Sequence, residues 1–254
     1  MMSTRRETIR RIAEALRSLY PEREALQIAR ILVAERSGLT PTELLVNSDE
    51  TVRIEGLEEQ IAALAAGRPL QYVLGCTEFC GLRIGVREGV LIPRPETEEL
   101  VMRIVRQAPP SPTVLDIGTG SGCIAIALDR LIAGAEVHAV DLSERALAIA
   151  RENAAALGSG VRFFRADALG DLHEAAGRQY DIIVSNPPYV PAGDRPAMRR
   201  NVTGYEPAEA LFVPDDDPLR FYRAIARSAR RLLRPGGSLW LEIDERQAEA
   251  MRRL

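Results

Sequence analysis

The chain has 254 residues, a formal net charge of −3 and 46% hydrophobic residues, enough for a full core and for one large domain beside a small one. All 33 basic residues are arginine, which excludes Schiff-base chemistry and a lysine base, and the acidic balance lacks the basic footprint of a nucleic-acid binder. The opening "MMSTRRETIRR" has no apolar core of a signal peptide and no run approaches ~18 apolar residues, so a cytoplasmic chain that neither enters nor crosses a membrane is expected.

From Thr4 to Ala66 apolar residues recur at helical spacing, as in Ile9, Ile12, Ala13 and Leu16, with breaks at "YPERE", "SGLTPTE" and "NSDET". This predicts a small helical bundle over residues 1–70. Its ten arginines against eleven acids do not make a basic arm. Over 71–92 the runs "QYVLG", "LRIGV" and "GVLI", separated by glycines, predict a β-hairpin linking two domains. Cys76, Cys80 and Cys123 are too few for a disulfide framework, and no second cluster completes a zinc site around Cys76 and Cys80, so small buried side chains and no metal are expected.

Over 93–254 strands alternate with helices. The predicted strands are Thr113–Ile117, Glu136–Val140, Val161–Arg165, Asp181–Ser185 and Ser238–Ile243. The predicted helices are Thr97–Val105, Gly122–Leu131, Glu144–Leu157 and Leu219–Leu232. Apolar strands alternating with amphipathic helices indicate an α/β fold, a mostly parallel, Rossmann-like sheet covered on both faces, with ligands at the carboxyl ends of the strands. His138 and His173 stand alone and read as structural.

"VLDIGTGSGCIAIAL" is an apolar strand, an acid, a glycine-rich turn and a helix. Gly118, Gly120 and Gly122 allow a tight turn and close approach of a ligand. The dinucleotide fingerprint would need glycine at Cys123, which disfavours a nicotinamide or flavin cofactor. Asp141 ends the next strand about 20 residues on, where a carboxylate suits a ribose. Asp167, in "FFRADAL", suits an adenine amino group. Acids at three successive strand ends, Asp116, Asp141 and Asp167, are expected on one rim. The arrangement resembles the class I S-adenosylmethionine-dependent methyltransferases.

The fourth strand delivers "SNPPYV", Ser185 to Val190, to the same rim. Two prolines have no N–H to donate and fix φ near −65°, so this is a rigid extended corner that ends the strand. "NPPY" resembles the motif of amino-methyltransferases acting on a planar, conjugated nitrogen. That resemblance implies that the Asn186 side-chain oxygen and the Pro187 carbonyl accept the two N–H bonds, while Tyr189 packs on the flat face of the substrate. Adenine in nucleic acids and the side-chain amide of glutamine in proteins both fit.

"GRPLQYVLGCTEFCGLRIGVREGVLIPRPETEELV", Gly67 to Val101, and "VTGYEPAEAL", Val202 to Leu211, resemble the release-factor glutamine N5-methyltransferases, the PrmC/HemK family. The resemblance implies methyl transfer from S-adenosylmethionine to the glutamine of the Gly-Gly-Gln motif of class I peptide release factors. The helical module would help to dock that protein. By position it implies cofactor binding by Gly118, Thr119, Gly120, Ser121, Gly122, Asp141, Asp167, Ala168 and Asn186, with Asn186, Pro187, Pro188 and Tyr189 holding the glutamine. Glu96 and Glu98 of "RPETE" read as acids of a first helical turn, outside catalysis. A monomer is expected, with no stable nucleic-acid binding. The runner-up is an adenine methyltransferase, for which Arg195, Arg199 and Arg200 would form a basic lip; a cofactor-binding adaptor without activity is a third reading. Two departures from the family are Asp244 in "LWLEIDERQ", where glycine is more usual, and an end at Leu254 where members continue into a β-hairpin. Without that hairpin the last strand is expected to be an open edge.

Overall fold

The computed structural model describes residues 3–170, 172 and 178–254. They form two compact units, one running to Gly75 and taking in Arg200–Tyr205, the other made of Cys76–Arg199 and Glu206–Leu254. His173 lies outside the described residues.

The first unit is helical: α1 (Arg5–Leu16), α2 (Glu22–Ser37), α3 (Pro41–Val46), α4 (Leu57–Ala65) and α5 (Leu70–Leu74), with a short antiparallel pair, β1 (Ser3–Thr4) and β2 (Thr51–Val52). Two capping boxes start helices here. Thr4 accepts from the Glu7 N–H while Glu7 accepts from that of Thr4, and Thr40 and Glu43 repeat the pattern ahead of Pro41. Each such cap contributes about 1 kcal/mol. Ile12, Leu16, Leu32 and Leu64 are fully buried in the core. The expected strand "QYVLG" is instead α5: Pro69 presets its entry at φ −55°, and Gly75 closes it at φ +83° with its N–H on the Gln71 carbonyl at 2.8 Å. A five-residue apolar run bounded by Pro and Gly does not distinguish the two states by periodicity.

The second unit opens on the hairpin β3 (Cys76–Phe79) and β4 (Leu82–Gly85). Its two-residue turn has Cys80 at φ +51° and Gly81 at φ +75°, the left-handed pair that a type I′ turn requires. Residues 89–92, expected as a strand, form irregular loop. There follow α6 (Pro95–Gln107), β5 (Thr113–Ile117), α7 (Cys123–Leu131), β6 (Glu136–Asp141), α8 (Glu144–Leu157), β7 (Arg162–Arg165) and β8 (Tyr180–Ser185). Next come the parallel pair β9 (Val190–Pro191) and β10 (Phe212–Val213), separated by a helical turn of the first unit, α9 (Arg200–Thr203). The chain ends in α10 (Arg220–Leu232), β11 (Leu233–Leu241) and α11 (Ala248–Arg252).

Five strands form one parallel sheet in the order β11-β8-β5-β6-β7. Val114, Leu115, Val137, Ala139, Ile183 and Val184 are buried along its central strands, as a sheet covered on both faces demands. Between Leu233 and Ser238 the last strand breaks register at "RPGG", so the ladder on β8 is Leu233 opposite Tyr180 and then Ser238–Leu241, and Ile243 falls outside it. Strand order reverses at β5, which opens a crevice between the carboxyl ends of β5 and β8. His138 is buried, its Nδ1 2.8 Å from the Tyr180 hydroxyl and its ring edge-on to Phe164, and burial depresses its pKa. Among the described residues no helix is long and apolar enough to cross a membrane. Cys123 is buried as expected, whereas Cys76 and Cys80, on the hairpin, are only half-buried; burial pushes Cys80 up to about 11 and Cys123 up to about 12.

Candidate active site

A cleft of about 440 Å³ lies at the carboxyl ends of β5, β6, β7 and β8. Gly118, Gly120, Asp141, Asp167, Ala168, Asn186, Pro187 and Pro188 all line it, so the crossover topology gathers most of the expected site in one place. The backbone turns at Gly118, whose N–H meets the Val140 carbonyl at 2.8 Å, and at Gly120, whose φ of +55° aims its N–H at Asp141 Oδ2, 2.9 Å away. At Gly122, φ +82°, an added Cβ would be strained by the backbone and would sit 3.1 Å from that of Ala150, so glycine eases the close packing of α7 on α8.

Asp141, the last residue of β6, is held on both oxygens: Gly120 N–H meets Oδ2 and Ser143 N–H meets Oδ1 at 2.8 Å. Burial raises its pKa, and the two N–H groups oppose that rise. A carboxylate has about four acceptor positions, so Asp141 keeps capacity for the hydroxyls of a ligand in the cleft. Asp167, exposed two residues beyond β7, caps its own turn by accepting from the Leu169 N–H at 2.8 Å.

The third acid departs from expectation. Asp116 is the penultimate residue of β5, fully buried beneath the glycine loop and not on the rim. It accepts from the Thr119 hydroxyl at 2.7 Å, and Thr119 and Ser121 are buried beneath the loop with it. Thr119, Ser121 and Gly122 therefore shape the loop from below and do not line the cleft. Desolvation pushes Asp116 up to about 7, against the Thr119 hydroxyl and with the help of the Asp141 charge. A carboxyl raised in the folded state from an ordinary value near 3.8 stabilises the fold below about pH 4, and that contribution is lost as pH rises through about 7. Asp116→Asn is expected to flatten this fall in thermal stability between about pH 4 and 7. An unchanged slope in unfolding scans would show that other groups cause it.

The corner after β8 is held by a network that sequence reasoning did not find. Asn186 Nδ2 donates to Thr97 Oγ1 at 3.2 Å, and the Thr97 hydroxyl donates to Glu242 Oε2 at 2.6 Å. The other Glu242 oxygen accepts from the Tyr189 hydroxyl at 3.2 Å. Burial first, then the Glu242 charge, pushes the Tyr189 phenol up to about 12. Gln247 Nε2 holds the Tyr189 carbonyl at 3.1 Å, and Ser185 Oγ donates to the Ile117 carbonyl at 2.6 Å across the β5–β8 seam. Tyr189 is not among the residues that line the cleft; it follows directly on Pro187 and Pro188, which do. Asp244, at the position usually glycine, caps the next turn through the Arg246 N–H and pairs with the Arg246 guanidinium at 2.6 Å. Arg195 lies over the Phe212 ring, 5.5 Å from its centroid.

The walls of the cleft are tied together from behind. The side chain of Glu206 is 1% exposed; Oε2 accepts from the Ile92 N–H at 2.9 Å and Oε1 from Arg94 at 2.6 Å. This joins the loop carrying Val90 and Leu91 to the one carrying Pro207 and Glu209, all four of which face the cleft. Asn153 fastens the hairpin to the glycine loop, donating to the Gly85 and Ser121 carbonyls at 2.9 and 2.8 Å and accepting from the Gly85 N–H at 2.8 Å. Apolar walls from Leu142 and Phe221 complete the cleft, which sets the carboxylates of Asp141 and Asp167 beside apolar surface.

Two family models match the chain, one described as "Methyltransferase small domain" over residues 96–201 and one as "PrmC N-terminal domain" over residues 7–75. The release factor glutamine methyltransferase of Bacteroides thetaiotaomicron is 45% identical over 246 residues, covering 96% of this chain and 88% of that one. The chain belongs to the release factor glutamine methyltransferase family. The family's member from Geobacter sulfurreducens is 41% identical over 252 residues, covering 96% of this chain and 87% of its own length. Among solved structures, a methyltransferase from Pyrococcus furiosus is similar at a TM-score of 0.51 and 20% identity over 68% of this chain and 76% of that one, a likeness of fold. The parallel sheet with its glycine loop is thus the class I methyltransferase arrangement.

Proposed function

We propose that this protein transfers the methyl group of S-adenosylmethionine to the side-chain amide nitrogen of the glutamine in the Gly-Gly-Gln motif of class I peptide release factors. The observation that carries the reading is the rigid Asn186–Tyr189 corner at the cleft that also holds the glycine loop and Asp141. When bound, the cofactor supplies an electrophilic methyl carbon on a sulfonium. Asp141 holds the ribose hydroxyls, Asp167 the adenine amino group, and the Gly118–Gly120 backbone admits the cofactor closely.

An amide nitrogen is a weak nucleophile because its lone pair is delocalised into the carbonyl. With Asn186 Nδ2 occupied by Thr97, Oδ1 is left to accept one N–H of the glutamine amide, and the Pro187 carbonyl accepts the other. Both acceptors gain strength as positive charge develops on that nitrogen, so they favour the transition state over the ground state. Tyr189, its hydroxyl fixed on Glu242, supports the amide plane. No strong base is needed: the two acceptors would hold the nitrogen towards the methyl group that bound S-adenosylmethionine would supply, and the nitrogen would give its proton to water. The chain acts as a cytoplasmic monomer that does not hold nucleic acid stably. Its helical module, near neutral in charge, docks the folded release factor.

The test is mass spectrometry of tryptic peptides from a release factor incubated with labelled cofactor. The expected product is one added methyl on the Gly-Gly-Gln glutamine; label in adenine of RNA or DNA, and none in the peptide, overturns the reading. The docking role predicts that removing residues 1–66 damages methylation of intact release factor far more than that of a short Gly-Gly-Gln peptide. Equal losses on both substrates would remove it.

A further inference from the structure

We infer that Glu242 and Thr97 are positioning residues, a one-way hydrogen-bond relay that decides which end of the Asn186 amide faces the acceptor nitrogen. The inference rests on the proposed role of Asn186 as acceptor of a substrate N–H.

The relay follows from counting protons. An ionised carboxylate only accepts, so the single Thr97 hydroxyl proton is committed to Glu242 Oε2, and the 2.6 Å separation is that of a charge-assisted O–H···O bond. Thr97 Oγ1 then has only lone pairs to offer Asn186. The amide must answer with its NH₂ group, as it does at 3.2 Å. Amide oxygen and nitrogen are assigned from such networks, and here the network allows one assignment. Oδ1 is consequently the end left for the cleft. Were the amide reversed, its N–H donors would face the substrate N–H that Oδ1 is to accept, and the site would repel the group it must hold.

Each member of the relay is itself immobilised. Thr97 is 2% exposed in the first turn of α6, behind Pro95. The Glu242 backbone continues the sheet ladder, its N–H on the Ser185 carbonyl at 3.1 Å, and its own carbonyl accepts from the Tyr222 hydroxyl at 3.0 Å. Glu242 is therefore tied to the residue immediately before Asn186, so carboxylate and amide share one frame. The second carboxylate oxygen fixes Tyr189, so one side chain orients both the acceptor and the flat support. A glutamine at 242 could point either end at Thr97 and would let the relay run in both directions.

The experiment compares the full chain with Thr97→Val, Thr97→Ser and Glu242→Gln. It measures kcat and KM for release factor, cofactor Kd by calorimetry, and thermal midpoints. Thr97→Val and Glu242→Gln are each expected to lower kcat by roughly tenfold or more, with KM and cofactor Kd within about twofold, while Thr97→Ser restores most of the loss. A mere packing role predicts a lowered midpoint without this split between kcat and KM, and no rescue by serine. Turnover within about twofold of the unaltered chain in Glu242→Gln, or Thr97→Ser as slow as Thr97→Val, overturns the relay. Failure of the unaltered chain to methylate release factor overturns the underlying function, and the relay with it.

Discussion

Asn186→Ala is expected to slow methyl transfer by on the order of 10²- to 10³-fold while cofactor affinity stays within about twofold. In the proposed mechanism Asn186 contributes one of two acceptors to the reacting nitrogen, and its other end is spent on Thr97. Alanine removes the acceptor and frees the Thr97 oxygen as well, but leaves Asp141 and the glycine loop untouched. An oriented group aimed at charge that develops in the transition state is worth about 2.7–4 kcal/mol in other enzymes, which fixes the size of the effect. Single-turnover rates with saturating cofactor measure it directly. Turnover within a few-fold of the unaltered chain would reduce the Asn-Pro-Pro-Tyr corner to a turn.

Asp141→Ala should act on the other ligand. Losing hydrogen bonds from ribose hydroxyls to a charged group costs about 1.5–3 kcal/mol, roughly 10- to 150-fold in cofactor Kd. The substitution also strands the N–H groups of Gly120 and Ser143, which both end on this carboxylate, so the loop conformation loosens in the same step. Asp141→Asn keeps an acceptor for one of them and should fall between alanine and the unaltered chain. Calorimetry that finds the cofactor bound equally well to Asp141→Ala would take Asp141 out of the site.

The sheet was legible because its strands are short, nearly unbroken apolar runs, each followed by a helix with its own start signal, as in "VLDIG" before α7. Most residues expected on the rim meet in one cleft for a related reason, since strand ends in such a sheet meet by topology. Asp116 shows the resolution of that argument: it stands one residue short of the end of β5, a strand buried on both faces, and it is covered by the loop whose Thr119 hydroxyl donates to it. The first hairpin strand, Cys76–Phe79, escaped because its turn uses Cys80 at positive φ where Asn or Asp would have signalled one. Thr97 and Glu242 escaped more completely. They are 145 residues apart, and a hydrogen bond between side chains on different elements leaves no periodic trace. Glu96 and Glu98 drew notice as charges while the functional side chain stood between them.

The Glu206 clamp has a kinetic meaning. Its bonds to Ile92 and Arg94 span 114 and 112 residues, and nearly all of the parallel sheet lies between those points in the chain. Such a bond repays its loop-closure entropy only after the intervening strands have assembled. By that reasoning the walls of the cleft are expected to close late in folding, after the strands they cover have paired.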